Sequence, residues 1–356
     1  MNRLGEINLK HNCLRDLLAR HQAGGIWLRR TRNLGWFTAG ADASIPADSE
    51  YGAYSILVTP EKRVVYTTNI EVTRMRAEEL FQDLGFEYAE SPWYQDNIPN
   101  VARLLTDEDT VEAEIQQNRW VLVDGEKERY RALGQDAAAA LDEAIRAVKP
   151  GDTEFEIASR LDAACRARGG LAVVNLVGTD VRISQFRHPL PTQKRLDKYA
   201  MIVVCMRRGG LIVAGTRLAH FGKLPPQLQE KTQKVAYIDA AVMVASQPGR
   251  TLGDAFSDLL AAYHEQGETE QWKLHHQGGL IAYIARERIV TPGDSTLILE
   301  NHAFAWNPSI VGCKSEDTIL VNKNGFEVVT AAPESWPVIE VEVKGQKVSR
   351  PGILEL

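Results

Sequence analysis

The sequence predicts a mixed α/β (α+β) protein with two domains, a smaller one over residues 1–125 and a larger one over residues 126–356. At 356 residues the chain is longer than one hydrophobic core usually supports. Strand-like and helix-like segments alternate in the smaller domain, which is typical of an α/β fold. In the larger domain one pattern occurs twice, which predicts two related halves with a site between them.

The composition narrows the class of protein. Hydrophobic residues make up 44% of the chain and charged residues 25%, as in ordinary globular proteins. A net charge of −6 argues against binding to a nucleic-acid backbone. Neither a secretory signal nor an apolar run of the ~20 residues that a bilayer span needs is found. The four cysteines are far apart, which predicts no disulfide framework or zinc knuckle and indicates a reducing compartment, the cytoplasm.

The smaller domain begins with a predicted helix over residues 10–22, where leucines recur at helical spacing. Four short strands are predicted next, in the segments GGIWL (24–28), LGWFTAG (34–40), AYSILVTP (53–60) and RVVYTT (63–68). A helix over residues 70–84, a proline-containing loop, a further helix and a strand WVLVD (120–124) complete the domain. Its alternation of strands and helices indicates an α/β domain of about 125 residues.

The duplication in the larger domain links residues 149–170 to residues 247–268 at a constant offset of 98. The matched pairs are Pro150 and Pro248, Gly151 and Gly249, Thr153 and Thr251, and Gly169 and Gly267. In the first copy, Thr153 and Glu156 predict a capping box at the start of a helix that ends at Gly169. A long helix precedes each copy (129–148 and 226–245) and strand-like segments follow it. Two equivalent halves therefore form the predicted domain.

The stretch WKLHHQGGLIAYIARE (272–287) is the most distinctive candidate site. It places His275 and His276 beside the pair Gly278-Gly279, with Arg286 a few residues later. Neighbouring side chains of a strand alternate between its faces, so we expect only one of the two histidines to face a given pocket. Glycines have no Cβ and allow a backbone or a ligand to approach closely. The stretch predicts the wall of a small polar site.

Four features together resemble one family. They are the duplicated helix–PG–T–helix pattern, RHPLP (187–191), HHQGG with a following RE pair, and SEDTILV (315–321). The family is the pita-bread superfamily of methionine aminopeptidases, prolidases, aminopeptidase P and creatinase, and the resemblance is clearest over residues 128–330. It implies a C-terminal pita-bread domain with pseudo-two-fold halves behind an N-terminal domain like that of creatinase and prolidase. It also implies a homodimer in which the N-terminal domain of one subunit approaches the partner's site.

Metal-dependent members of the superfamily use two Asp, one His and two Glu as ligands. The resemblance places Cys205 and Ala214 at the two Asp positions, His275 or less well His276 at the His, and Glu300 and Glu316 at the two Glu. Without both Asp the bridging charge of a two-metal centre is missing. We therefore expect no metal cofactor, with a weakly bound Mn or Zn ion as the alternative.

Creatinase, the metal-free member, offers a second comparison. It implies that His188 takes a proton from water and returns it to a leaving nitrogen. His275 and Arg286 keep the spacing of eleven residues found in creatinase. Thr216 stands where creatinase has a substrate-holding Glu, which argues against creatine as the substrate.

These comparisons lead to one interpretation and two alternatives. The leading interpretation is a metal-independent hydrolase that cleaves a C–N bond in a small carboxylate-bearing compound, since Lys314 and Arg217 add positive charge. The alternatives are an Xaa-Pro aminopeptidase or dipeptidase with a degenerate metal site, acting on short peptides, and a non-catalytic binding module. The predicted catalytic residues are His188, His275 and Glu316, and the predicted substrate contacts are Arg286, Glu300, His276, Thr216 and Trp306. Lyase or decarboxylase chemistry stays open.

Overall fold

The computed structural model describes all 356 residues, and the chain forms two units. Met1–Glu128 and Gly209–Leu211 belong to the first unit, and Arg129–Arg208 and Ile212–Leu356 to the second. None of the helices combines the length and the apolar character that a membrane crossing needs.

A five-stranded sheet in the order β4-β3-β2-β1-β5 forms the centre of the first unit. Its elements are α1 (Arg3–His21), β1 (Gly25–Arg30), α2 (Thr31–Phe37), β2 (Tyr51–Val58), β3 (Arg63–Thr68), α3 (Val72–Arg74), a π-helix (Met75–Glu79), β4 (Glu87–Ser91), β5 (Leu104–Thr106) and α4 (Glu112–Trp120). Strand β1 runs antiparallel to β2 and parallel to β5. The sheet therefore contains both antiparallel and parallel strand pairs.

Two predicted strands of this unit are wrong. The segment LGWF lies in α2, where Leu34 and Phe37 share one buried helix face and the hydroxyl of Thr38 donates to the carbonyl of Leu34 at 2.7 Å. The segment WVLVD forms no strand, because Trp120 is the last residue of α4. Both are short apolar runs, whose periodicity does not separate a buried strand from a buried helix turn. The helix predicted over 70–84 is also shorter, and Leu80 ends it in a left-handed conformation.

The second unit contains five helices and thirteen strands. The helices are α5 (Asp124–Arg146), which begins in the first unit, α6 (Glu154–Ala167), α7 (Val181–Gln185), α8 (Pro226–Ala245) and α9 (Leu252–Glu265). The strands are β6 (Leu171–Thr179), β7 (Tyr199–Arg208), β8 (Leu211–His220), β9 (Gly278–Leu280), β10 (Arg288–Ile289), β11 (Ala303–Trp306), β12 (Ser309–Ile310), β13 (Cys313–Lys314), β14 (Asp317–Asn322), β15 (Gly325–Val328), β16 (Val338–Val343), β17 (Gln346–Pro351) and β18 (Leu354–Glu355). The two larger sheets have the orders β18-β8-β7-β6 and β10-β9-β11-β14-β15.

The duplication predicted from the sequence is present in the structure. Thr153 and Glu156 form the capping box of α6, and Thr251 and Asp254 form the same box at α9. The backbone of each threonine also forms an isolated antiparallel bridge to a later segment of its own half. The two copies therefore fold alike.

The matched glycines of the two copies also have similar backbone conformations. Gly151 and Gly249 have φ angles of 92° and 88°, and Gly169 and Gly267 have φ angles of 71° and 72°. Such positive φ angles are rare for residues with a Cβ. The glycines are therefore required by the turn geometry of each half, and the mixed fold with its duplicated halves is confirmed.

Candidate active site

A cavity of about 270 Å³ opens in the second unit. Its wall consists of Val174, Leu176, His188, Val203, Cys205, His276, Ala285, Arg286, Asn307, Lys314 and Glu316. An apolar side, a group of charged side chains and a group of histidines make up this wall, and each has its own structural origin.

The apolar side comes from neighbouring strands β6 and β7. Val174 pairs with Cys205 and Leu176 pairs with Val203, so the four side chains lie on one face of the sheet. Burial raises the pKa of the Cys205 thiol to about 11. The thiol is therefore protonated at neutral pH and is not poised to bind a metal ion as a thiolate.

Glu316 is the centre of the charged group. Its carboxylate accepts hydrogen bonds from Thr216 Oγ1 at 2.7 Å and from Arg286 Nη2 at 2.8 Å, and Lys314 Nζ lies 2.7 Å from Oε2. Burial alone would raise the pKa of Glu316, but the charges of Lys314 and Arg286 outweigh it and lower the pKa to about 2. Glu316 is therefore a carboxylate at neutral pH, and its oxygens are already engaged. Two cations face one anion, so the group carries one net positive charge.

Arg217, predicted to add positive charge at the site, does not reach the cavity. Its side chain is buried, and Nη2 donates to Asp317 Oδ1 at 3.0 Å. Arg350 donates to the other oxygen of Asp317 at 2.9 Å. Glu316 and Asp317 are neighbours in the chain, so this ion network fixes the backbone from which Glu316 projects.

The loop after α7 brings His188 to the two histidines that follow α9. Arg187 Nη2 donates to Oε1 of Gln271 at 3.1 Å, which ties the loop to a short 3₁₀-helix, Gln271–Leu274. His275 and His276 follow that helix directly. The sequence identified both histidine segments as candidate site residues, but it did not show that they lie close together.

The three histidines form one cluster. Nε2 of His275 lies 2.9 Å from Nε2 of His188, and the rings of His275 and His276 stack with their centroids 4.3 Å apart. Of the two adjacent histidines, only His276 lines this cavity, and His275 lines a neighbouring pocket with Arg187 and Lys314. Strand alternation does not apply, because β9 begins only at Gly278.

Burial is the main cause of the low basicity of these imidazoles. Burial, followed by the charge of Lys314, lowers the pKa of His188 and lowers that of His275 to about 3. Burial, followed by the charge of Arg286, lowers the pKa of His276 to about 4. All three rings are therefore neutral at pH 7, and each carries one N–H donor and one acceptor lone pair.

The residues after the histidines hold this geometry. Nε2 of Gln277 donates to the backbone carbonyl of His275, and the hydroxyl of Tyr263 donates to Oε1 of Gln277 at 2.8 Å. A Cβ on Gly278 would lie 2.1 Å from the carbonyl oxygen of Ala305 in β11, so this position requires glycine. The glycine pair thus allows close approach of a neighbouring strand. Close approach of a backbone was one of the two predicted roles, and close approach of a ligand was the other.

Two predicted substrate contacts do not lie at the cavity. Trp306 is fully buried, where its Nε1 donates to Ser246 Oγ at 2.9 Å and its ring stacks on Phe304. Glu300 is exposed in the turn before β11. Trp306 is a core residue because its strand buries every side chain, and Glu300 precedes the point where the chain enters the sheet.

Asn307 is the cavity residue that the sequence interpretation missed. Only 1% of it is exposed, and its Oδ1 has no hydrogen-bond partner. Leaving such a buried polar group unpaired costs roughly 1–3 kcal/mol. The sequence did hold a signal, because the superfamily's first ligand Glu is usually followed by proline. Asn307-Pro308 matches that pattern better than Glu300-Asn301.

Comparison with known proteins shows to which family the chain belongs. The sequence model of metallopeptidase family M24 matches residues 128–323. The chain belongs to metallopeptidase family M24. A relative described as an uncharacterized peptidase, from Staphylococcus aureus strain MW2, is 22% identical over 348 residues, which cover 88% of this chain and 97% of that protein.

Solved structures share the pita-bread fold of this M24 chain. The prolidase from Pyrococcus horikoshii OT3 superposes with a TM-score of 0.75 at 18% identity, covering 92% of this chain and 99% of that one. An Xaa-Pro dipeptidase from Bacillus anthracis gives a TM-score of 0.74 at 18% identity, with the same coverage of 92% and 99%. The predicted superfamily is confirmed, and as an M24 member the chain is a peptidase-like hydrolase.

The residues present do not fit the two-metal centre that is usual in family M24. The apolar Val203 lines the cavity beside Cys205, and Ala214 is fully buried, its backbone N–H donating to Thr318 Oγ1. The only carboxylate at the cavity, Glu316, is held by three donors, two of them cations. Three imidazoles supply no bridging charge for a pair of divalent ions.

Proposed function

We propose that this M24 member is a metal-independent hydrolase that cleaves a C–N bond in a small carboxylate-bearing compound. One observation carries the proposal. The cavity combines a neutral imidazole, His188, with a cationic group in which Glu316 is already neutralised. A base for water and a site for an anion are thus present where metal ligands would otherwise lie.

Lys314 and Arg286 supply the anion site. An ammonium group has three N–H donors, and the contact with Glu316 uses one of them. The remaining donors and the net positive charge of the group favour a substrate carboxylate. Because Lys314 is nearly fully buried, this attraction is screened less than that of a surface pair.

His188 supplies the proton transfer. When His188 donates its Nε2–H to Nε2 of His275, its Nδ1 carries a free lone pair. Nδ1 takes a proton from water as the water oxygen bonds to the substrate carbon. The C–N bond then breaks, and the same proton passes from His188 to the leaving nitrogen. The products are an acid and an amine.

The second candidate is an Xaa-Pro-type peptidase with a degenerate, weakly loaded metal site. It is favoured by membership of a metallopeptidase family and by the peptidase designation of the Staphylococcus aureus relative. The composition of the cavity opposes it, since only Glu316 remains of the expected carboxylates. A requirement for Mn²⁺ or Zn²⁺ would decide for this candidate.

The test is a library of small amides, amidines, ureido compounds and Xaa-Pro dipeptides, assayed with and without chelator. We expect turnover of a carboxylate-bearing non-peptide that survives the chelator. For that substrate, His188→Gln should lower turnover by a factor of about 10²–10⁴, the usual contribution of a general acid–base group. His264→Gln, an exposed position on α9, is the matched control. Near-normal turnover by His188→Gln would remove the mechanism, and no turnover of any compound would favour the non-catalytic module.

The homodimer and the cytoplasmic location belong to the same proposal. The dimer rests on the resemblance to creatinase and prolidase, and sedimentation at micromolar concentration tests it. A monomer would contradict it. The four cysteines are unpaired in the structure, which supports a reducing compartment.

A further inference from the structure

We propose that Asn307 selects substrates in which the group to be cleaved is a ureido or carboxamide group. The inference rests on the proposed hydrolase function and narrows its substrate class. It concerns a residue that stands at a ligand-Glu position of the family and that takes no part in the proposed proton transfer.

Asn307 has the character of a ligand-binding group. It lies in the wall of the cavity, is 99% buried, and has an Oδ1 without a hydrogen-bond partner. Buried side-chain oxygens are nearly always paired in folded proteins. An unpaired one at a cavity wall therefore indicates a partner that enters with the ligand.

The chemistry of a carboxamide restricts that partner. Asn307 presents a C=O acceptor and N–H donors side by side. A carboxylate offers only acceptors and would face Oδ1 with a like partial charge. A guanidinium offers only donors and would face the N–H groups of Asn307. A ureido group or a primary amide offers one N–H and one C=O on the same edge, and it forms two hydrogen bonds with Asn307.

The rest of the wall fits the same ligand. Nε of Arg286 is buried without a partner, and an N–H donor there is suited to a carbonyl oxygen. Leu176 and Val203 supply an apolar surface for a short methylene chain. Lys314 retains donors for a carboxylate at the other end of the ligand. A ureido acid such as N-carbamoylglycine contains all of these groups.

The reaction on such a ligand balances without a co-reactant. The oxygen of water bonds to the ureido carbon as His188 takes its proton. The bond from that carbon to the substituted nitrogen then breaks, and His188 returns the proton to the leaving amine. The products are an amino acid and carbamic acid, which decomposes to carbon dioxide and ammonia.

Calorimetric binding tests the selection in the full-length protein carrying His188→Gln, which suppresses hydrolysis of the probe; here the wild type is this protein with Asn307 unchanged. The probes are N-carbamoylglycine, its guanidino analogue guanidinoacetate, and succinate, which carries a carboxylate at the same place. We expect the wild type to bind N-carbamoylglycine at least about tenfold more tightly than either analogue, a ratio equal to 1.4 kcal/mol. Equal affinity for the three probes, or no binding of N-carbamoylglycine at millimolar concentration, overturns the proposal.

Asn307→Asp is the decisive variant. A carboxylate there accepts two N–H groups, so the preference should move toward guanidinoacetate by at least tenfold. Asn175→Asp is the matched control, because Asn175 also has an unpartnered Oδ1 but does not line the cavity, its amide N–H donating to the carbonyl of Ala158 in α6. It should keep the wild-type preference. An unchanged preference in Asn307→Asp overturns the proposal.

A substitute variant and a comparison of binding with turnover complete the test. Should Asn307→Asp not fold, as judged by circular dichroism, Asn307→Ala replaces it, and its affinities for the three probes should become equal. An Asn307→Ala variant that keeps the wild-type ratio overturns the proposal. Binding with the expected dependence on Asn307 but without turnover would contradict the hydrolase and leave the selection intact. Turnover that does not depend on Asn307 would contradict the selection and leave the hydrolase intact.

Discussion

Nε2 of His188 lies 2.9 Å from Nε2 of His275, although the two residues are 87 positions apart in the chain. Two neutral imidazoles at this distance share one hydrogen bond, so the tautomer of one ring fixes that of the other. When His188 is the donor, its Nδ1 is the free base that the proposed reaction uses. In the proposed reaction, His275 is therefore a positioning residue for His188.

This pairing predicts the effect of His275→Phe. The ring shape is kept, but the acceptor for His188 is lost, and both tautomers of His188 become populated. We expect kcat to fall about tenfold, the rate equivalent of one hydrogen bond, with KM nearly unchanged. Steady-state kinetics on the substrate found by the library measures it. A change confined to KM, or no change, would show that His275 does not orient His188.

Glu316 and Glu300 give a contrasting pair for stability. Glu316→Gln leaves Lys314 and Arg286 buried without their counter-charge, so we expect a loss of about 3–5 kcal/mol in the free energy of unfolding. Glu300→Gln lies on an exposed turn and should change it by less than about 0.5 kcal/mol. Urea denaturation of both variants measures the difference. Equal stabilities would mean that the buried ion cluster does not form.

The half-buried His275 and His276 predict a pH dependence of stability. His275 and His276 have folded-state pKa values of about 3 and about 4, below the 6.5 of an unfolded histidine. The unfolded chain therefore binds more protons as the pH falls. Their contribution is fully present above pH 6.5 and is lost as the pH falls through the folded values.

Denaturation at pH 7, 5.5 and 4.5 checks this sign. The free energy of unfolding should fall with pH in the wild type, and the slope should be smaller in His276→Phe. His264→Phe, at an exposed position of α9, should keep the wild-type slope. A wild-type stability that rises toward pH 4.5 would contradict the burial of the cluster.

Arg286→Lys tests the anion site. The guanidinium donates from Nη2 to Glu316 and from Nη1 to the carbonyl of Ala285, which an ammonium group does not reproduce. We expect KM to rise by about tenfold or more while kcat changes less. Arg288→Lys, on the exposed strand β10, is the matched control and should keep the wild-type KM. A similar KM in both variants would exclude Arg286 from substrate binding.

Local structural features, such as helix caps, glycine turns and helices, were predicted most reliably from the sequence. The capping box of Thr153 and Glu156, the glycines of the duplicated turns and the helix over 226–245 all depend on residues close in the chain. Their spacing therefore contained the necessary information. The duplication then followed, because local patterns recurred at one offset.

Properties set by tertiary packing were missed. The directions of His275 and His276 are set by the 3₁₀-helix before them and by the side chain of Gln277 rather than by strand alternation. Trp306 is a core residue because every side chain of β11 is buried. Hydropathy alone does not separate a pocket wall from a core. Asn307 was overlooked because the motif was aligned on a glutamate rather than on the proline that follows it.

A measurement of metal dependence tests the proposed metal-independent hydrolysis most directly. The purified protein is analysed for divalent metals, and turnover of its substrate is measured before and after chelator treatment and after addition of Mn²⁺ or Zn²⁺. We expect no stoichiometric metal, turnover unaffected by the chelator, and no gain from added ions. Two divalent ions per chain, with activity lost to the chelator and restored by Mn²⁺ or Zn²⁺, would contradict this expectation.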